Sequence, residues 1–565
     1  MRLSPSKRVV APIAAAAALA LFVGIPSAAN AAAPYPSDPT SPNSTVPNLI
    51  TLLGGYNALW QSSGTNDLHG TVKDADVLAQ NDKLAVWINT NATADEQFKA
   101  LQDAEYENAT NTAYDQSITI STALGSVLGP LYVSGRQSDA LPLTSALINS
   151  SNGTSGAYVG TSAAKANFSY PRPYLPTDPA TPAVAGDAAS CAPDLENASS
   201  LTSNRVGQPY ASATGNLSIV RVAPTTDTTG EFSSNDVALD AGYGTAGICT
   251  GGSFPSGHTT TAYQAGITLA TLLPELAPEI LTRASEAGNS RIVLGVHYPI
   301  DIMGGRIDGE AALAARWSDE QYRTEVLEPA RAELVSYLEQ KCGNTLAACI
   351  SSESAYSSNP YGGKAIPGGT AQIVTDRVSA VSVYTERETY GLPQSGATGL
   401  AASVPAGASN LLLTTFPTLT DAQRTSVLAQ TEIASGYPLD QSQTADGSWQ
   451  RLNLAAATSA TVSLAADGAV TVTSTGGQAA VVAAPTPTPT PTPSASGSAS
   501  ASPSASAAPV AAGSGSGSGS GSSGSLANTG VDAVPAVALS AGALALGGLA
   551  FAFATMARRR RAAKR

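Results

Sequence analysis

Residues 485–525 contain only Pro, Thr, Ser, Ala, Gly and a single Val, arranged as Pro-Thr, then Ser-Ala, then Gly-Ser tracts. A stretch with so little apolar bulk cannot bury a core, so it reads as a linker. It is stiff at about 3.1 Å per residue in the Pro-Thr part and flexible beyond it. Folding is thereby confined upstream, where a chain of 565 residues still leaves room for more than one domain. That upstream body is acidic: residues 32–529 hold 20 of the 29 bases and 41 of the 42 acids. Such a balance excludes nucleic acid and anionic membrane as bulk partners. Any anion site must be assembled locally from scarce Lys and Arg.

The two ends predict export. Arg2, Lys7 and Arg8 precede the apolar run Val9–Ile25, and Ala29-Asn30-Ala31 offers small residues for cleavage, so 1–31 reads as a signal peptide. At 526–565, Leu526-Ala527-Asn528-Thr529-Gly530 is followed by an almost uncharged apolar segment, with transmembrane character, and by Arg558–Arg561. This layout resembles a Gram-positive sortase sorting signal in its actinobacterial variant. The resemblance implies cleavage between Thr529 and Gly530 and covalent attachment of a secreted protein to cell-wall peptidoglycan. The four cysteines suit an oxidising compartment. Cys342 and Cys349 would close a short loop and leave Cys191 with Cys249, although the sequence permits three connectivities.

Within the body, Asn48–Asn149 has mostly helical patterning, with Thr93-Ala94-Asp95-Glu96 as a capping box and further helical stretches at Ser121–Leu128 and Leu143–Ile148. Residues 150–250 are loop-rich. Helical signals return at Ser256–Leu273, Leu281–Leu294 and Pro299–Trp317. A fourth helix opens on a capping box at Ser318–Gln321 and ends near Cys342, with Pro329 expected to kink or split it. Residues 366–484 differ in character. Thr420–Gln423 caps a short helix, and Thr461–Ala466 and Ala469–Ser474 alternate around Asp467-Gly468, a hairpin signal.

Chemistry-bearing residues concentrate in three places. Lys165 and Arg172 lie seven apart in Lys165-Ala166-Asn167-Phe168-Ser169-Tyr170-Pro171-Arg172-Pro173; Gly252-Ser253-Phe254-Pro255-Ser256-Gly257-His258-Thr259 opens a helix; Ser290-Arg291, His297 and Asp301 follow. A helix starting at Ser256-Gly257 presents free amides and the positive dipole end to an anion. Gly257 lets the backbone approach closely. Lys165, Arg172 and Arg291 would supply cations, and guanidinium matches phosphate bidentately. Asp301, four residues after His297, can take the Nδ1–H bond and leave Nε2 outward as a nucleophile. An imidazole titrating near pH 6.5 lets His258 donate a proton to a departing oxygen. His69, the remaining histidine, fits no such pattern and reads as structural.

These segments match, in order, the pattern Lys-x6-Arg-Pro, Pro-Ser-Gly-His and Ser-Arg-x5-His-x3-Asp, and so resemble the type-2 phosphatidic acid phosphatase and vanadium haloperoxidase superfamily. Gly252–Thr259 further resembles the signature of secreted bacterial class A acid phosphatases, with Phe254 where Tyr is usual. The resemblance covers about 50–350 and implies an all-α bundle, within a domain placed at 32–365. The helix and hairpin signals of 366–484 add a smaller mixed α/β extension to this mainly α fold. The resemblance also implies that His297 attacks phosphorus to form a phosphohistidine, Asp301 orients it and His258 protonates the leaving alcohol. Lys165, Arg172, Ser256, Gly257 and Arg291 would hold the phosphoryl oxygens of a small phosphate ester. The cations make a metal or other cofactor unnecessary, and vanadate should inhibit.

Two other readings use the same chain. Vanadate held by the same cage and bonded to His297 would give a haloperoxidase with vanadate as cofactor. A wall-displayed adhesion protein would instead rely on 366–484 as its binding module, with packing on the helical domain as that segment's plainer role.

Overall fold

The computed structural model describes residues 47–106, 115–148, 159–173, 198–243, 248, 251–354 and 356–484. All fall in the first of two units, 1–487; the second, 488–565, lies outside the described residues. The signal peptide, the linker, Thr529, Gly530, Cys191 and Cys249 likewise lie outside them. Among the described residues no helix is long and apolar enough to cross a membrane.

The fold is mainly helical. In chain order its principal helices are α1 (Ala75–Asn91), α2 (Ala94–Glu105), α3 (Leu128–Gln137), α4 (Ser162–Phe168), α5 (Gly257–Leu272), α6 (Ala277–Val293), α7 (Pro299–Trp317), α8 (Glu328–Cys342), α9 (Arg377–Arg387), α10 (Asp421–Thr431) and α11 (Leu454–Thr458). Strands are short: β1 (Trp60–Gln61) pairs with β2 (Thr71–Val72), and β3 (Thr225–Asp227) with β4 (Val237–Leu239). A three-stranded sheet has the order β6 (Val470–Ser474), β5 (Thr461–Leu464), β7 (Ala480–Ala483). The β5–β6 hairpin turns at Asp467-Gly468 as expected, with Leu464 opposite Val470 and Gly468 at φ +85°. The parallel strand β7 was not foreseen.

Helix α6 is the hub, and every one of its residues is buried. A helix enclosed on all sides must find a partner for each charge it carries. Accordingly Arg283 pairs with Asp103 at 2.6 Å, Glu286 with Lys99 at 3.3 Å and Glu279 with Arg377 at 2.6 Å. Glycines bring α5 close to both α6 and α7. An added Cβ on Gly266 would lie 2.5 Å from Ala284 Cβ, on Gly288 2.9 Å from Thr259, and on Gly305 2.7 Å from Ser256 O. These contacts make α6 antiparallel to α5, and α7 parallel to α5. The start of α5, the end of α6 and the start of α7 therefore meet at one end of the bundle.

Residues 366–484 share this core rather than facing water on all sides. Arg306 of α7 is 1% exposed and bonds Glu310 at 3.0 Å. It also donates to the carbonyls of Leu452 at 3.1 Å and Gln450 at 2.6 Å. Thr282 Oγ1 donates to Ala380 O at 3.0 Å.

Several boundaries differ from the sequence expectation. Helix α6 begins at Ala277 rather than Leu281, because Pro278 sits in its first turn, where the missing N–H is harmless. The stretch expected as one helix at Ser121–Leu128 breaks at Gly125, whose φ is +96°, into a 3-10 turn (Ser121–Leu124) and α3. The fourth expected helix is capped by Asp319, whose carboxylate accepts from Tyr322 N at 3.1 Å, not by Ser318. It passes through a π turn (Arg323–Leu327) before α8, which places Pro329 in the first turn of α8. Cys342 and Cys349 form a disulfide.

Candidate active site

The convergent helix ends carry the motifs. His297 lies in the tight turn between α6 and α7, which Gly295 permits at φ +69°. Tyr298 caps α7, Pro299 occupies its first position, and Asp301 sits where a capping carboxylate can reach back to the Tyr298 amide, 3.0 Å away. The same oxygen, Asp301 Oδ2, lies 2.9 Å from His297 Nδ1. On the other side of the ring, Arg172 Nη1 lies 2.9 Å from Nε2. Guanidinium can only donate, so Nε2 carries the lone pair and Nδ1 carries the proton. The expected tautomer is thus selected by two neighbours at once.

Ser256 caps α5. Its Oγ accepts from the Thr259 amide at 3.3 Å, and its own amide donates to Asp301 O at 3.1 Å, so the starts of α5 and α7 are tied together. Gly257 follows as the first helical residue. A Cβ there would come within 3.0 Å of Thr161 Oγ1. Phe254 is buried, stacked on Tyr56 at 3.8 Å and edge-on to Phe168 at 5.1 Å, so a residue without a hydroxyl suits the wedge it fills.

The cations come from two segments. Lys165 on α4 donates to the carbonyls of Gly252 at 3.1 Å and Ser253 at 2.9 Å, which fastens α4 to the loop before α5. Arg172 also donates to Val296 O at 2.9 Å. Arg291 stands in the last turn of α6 and is 3% exposed. Half-buried His258 is the second residue of α5.

These groups shift one another's proton affinities. Burial, then Arg172, Lys165, Arg291 and His258 in turn, hold the His297 imidazole well below its ordinary value. Burial and the Arg172 charge push Lys165 down in the same way, and burial with Arg291 brings Arg172 to about 10. Cations crowded out of water against each other are strained until an anion joins them. Asp301 is raised to about 6, because burial outweighs the hydrogen bonds from Ser253 and the Tyr298 amide that favour its charge.

All eight residues expected at the site are thus held in one neighbourhood, and His69 is not among them: it is exposed and paired with Asp67 at 2.7 Å. Two nearby groups escaped sequence reasoning. Ser253 Oγ donates to Asp301 Oδ2. Asp308 is fully buried on α7 and reached only weakly by Thr260 Oγ1, at 3.4 Å. Ser253 lies within a quoted motif, yet nothing in its spacing points to a carboxylate so far along the chain.

Comparison with known proteins agrees with this geometry. Residues 146–325 match the family model of the PAP2 superfamily. The chain is 41% identical over 88 residues to an acid phosphatase of Zymomonas mobilis, covering 16% of this chain and 33% of that protein. It is 34% identical over 75 residues to a non-specific acid phosphatase of Providencia stuartii, covering 13% and 30%. It is 38% identical over 63 residues to a non-specific acid phosphatase of Salmonella typhi, covering 11% and 25%. The chain therefore spans a third or less of the length of the curated relatives it matches.

Proposed function

We propose that this chain is a phosphatase that hydrolyses small phosphate monoesters through a phosphohistidine at His297. The observation that carries the reading is the His297 ring itself, with its Nδ1 proton on Asp301 and its Nε2 lone pair turned to the cations. An entering phosphate would draw Arg172 Nη1 from Nε2 to a phosphoryl oxygen. The other oxygens would be taken by Lys165, Arg291, Ser256 Oγ and the Gly257 amide. Nε2 then forms the bond to phosphorus as the P–O bond to the alcohol breaks, and His258 gives its proton to that oxygen. Water, deprotonated by His258, attacks the phosphohistidine and releases phosphate. The positive charge that the transition state needs comes from the three cations and the N-terminus of α5.

The two histidines have opposite needs, one neutral and one protonated. Burial and the neighbouring cations depress His297 and so favour its neutral form, while His258 must carry the proton that it donates. The names of the three relatives favour the phosphatase over the haloperoxidase reading. The test is hydrolysis of p-nitrophenyl phosphate by the chain without its signal and sorting segments, with a chelator present. The reading expects turnover, inhibition by vanadate and no turnover by His297→Ala; full activity in that variant refutes the nucleophile.

Export and wall attachment belong to the same proposal. Signal cleavage after Ala31 and sortase cleavage between Thr529 and Gly530 would leave the body tethered to peptidoglycan by 485–525. Recovery of the protein in the muramidase-released wall fraction, and its loss to the medium on replacing Leu526–Gly530, is the expected result.

A further inference from the structure

The hydroxyl of Ser253 has no part in the scheme above, yet it lies at its centre. Ser253 is fully buried and fixed on both sides: its amide donates to Tyr170 O at 2.7 Å, and its carbonyl accepts from Lys165 Nζ at 2.9 Å. Its Oγ has two polar neighbours. One is Asp301 Oδ2, within hydrogen-bond reach; the other is His297 Nδ1 at 3.5 Å, which already bears a proton. The hydroxyl proton therefore goes to Asp301. Asp301 Oδ2 thus collects three donors, from Ser253, His297 and the Tyr298 amide, while Oδ1, equally buried, receives none among the described residues.

From this geometry we infer that Ser253 is a positioning residue for the hydrolytic reaction: by donating to Asp301 Oδ2 it keeps that oxygen an acceptor for the His297 Nδ1 proton, and so keeps the lone pair on Nε2. The inference rests on the reading of His297 as nucleophile. Were the Asp301 carboxyl to gain a proton, it would lose the charge that holds the His297 Nδ1–H. The alternative tautomer would then aim an Nε2 proton at Arg172 Nη1, a clash of two donors.

Other charges face Asp301 as well. Lys165 and Arg172, from the segment on and after α4, favour the carboxylate. Arg291 from α6 and His258 from α5 act on the same imidazole. Tyr56 and Tyr298 present phenols that burial keeps neutral. Asp82 on α1 lies behind Tyr298 and is paired with Arg205 at 2.8 Å; Asp308 lies two turns along α7. Of the influences that lower the Asp301 proton affinity, the Ser253 hydrogen bond is the foremost. Ser253 itself is 0% exposed.

The test compares wild type, Ser253→Ala and Ser253→Cys, whose thiol is a weaker donor of similar shape. For p-nitrophenyl phosphate, the acid limb of kcat/KM should move up by about one pH unit in Ser253→Ala, the scale of one charge-assisted hydrogen bond. Ser253→Cys should fall between, and the plateau above the limb should change little. An acid limb that stays in place, even with a lower plateau, overturns the inference and leaves Ser253 a packing residue. Should Ser253→Ala fail to fold, Ser253→Cys alone decides by the same limb. Nitrogen-15 NMR of the imidazoles, of which the chain has three, separates this from the parent reading because it needs no turnover. The His297 Nδ1–H tautomer should persist to lower pH in wild type than in the variants, and identical titrations refute the role. A wild type without phosphatase activity would instead sink the parent reading.

Discussion

Gly305→Ala should impair catalysis out of proportion to its effect on stability. Gly305 faces α5 where that helix begins, and the new Cβ would lie 2.7 Å from Ser256 O and 2.7 Å from Thr259 Cβ. Relief to ordinary contact requires the start of α5 to retreat by roughly 0.7 Å from α7, the kind of overpacking shift that costs about 1–3 kcal/mol. The gain of about 1 kcal/mol from replacing a helical glycine offsets part of this. Stability should thus fall by about 0–2 kcal/mol. The same retreat lengthens the Ser256 N to Asp301 O bond of 3.1 Å and carries the Ser256–Gly257 cradle away from His297. Because a misplacement of about 1 Å costs on the order of a hundredfold, kcat/KM should drop by about tenfold to a hundredfold. Gly309→Ala is the control: its Cβ would meet Tyr263 Cβ at 2.7 Å on the same seam, one turn further from the site. Denaturant unfolding and p-nitrophenyl phosphate kinetics on both variants give the answer. Equal activity losses at equal stability would refute the claim that the seam sets the cradle.

Three further outcomes follow from buried charge and cross-linking. Asp308, pushed well above its ordinary value by burial, is held protonated in the fold, so its contribution is full below about pH 3.8 and is lost as pH rises toward its folded value. Asp308→Asn should therefore gain on wild type in thermal melts as pH is raised from 4 to 8; parallel curves would contradict this. Arg306→Ala leaves Glu310 buried without its cation and frees the carbonyls of 450 and 452. It should cost about 3–5 kcal/mol in urea unfolding, against a negligible loss if the extension merely rested on the surface. Replacing Cys342 and Cys349 together by serine opens a loop with a sequence separation of 7. It should cost about 2.5 kcal/mol and leave kcat/KM untouched.

Much of the site was legible because its parts are local. An N-cap serine followed by glycine announces the start of α5, and Pro299 with Asp301 announces the start of α7. Both carry their signals within one turn. The mainly helical fold was legible for the same reason, through capping boxes at Thr93 and Thr420 that form as read. What escaped depends on distant partners. Ser253 acquires a role only through a carboxylate on another helix. Arg306 and Glu310 have the spacing of an exposed i,i+4 pair, yet the extension buries both. The π turn before α8 reflects how a helix accommodates Pro329 under packing, which periodicity alone does not specify.

The central claim is that His297 Nε2 becomes bonded to phosphorus during turnover. Rapid quenching of wild type with phosphorus-32-labelled substrate at about pH 6.5, above the Asp301 value of about 6, followed by alkaline peptide mapping, tests it directly. The account predicts acid-labile, alkali-stable label on the peptide that holds His297, and none in His297→Ala. Label on the His258 peptide, or turnover with no label under single-turnover conditions, would contradict it.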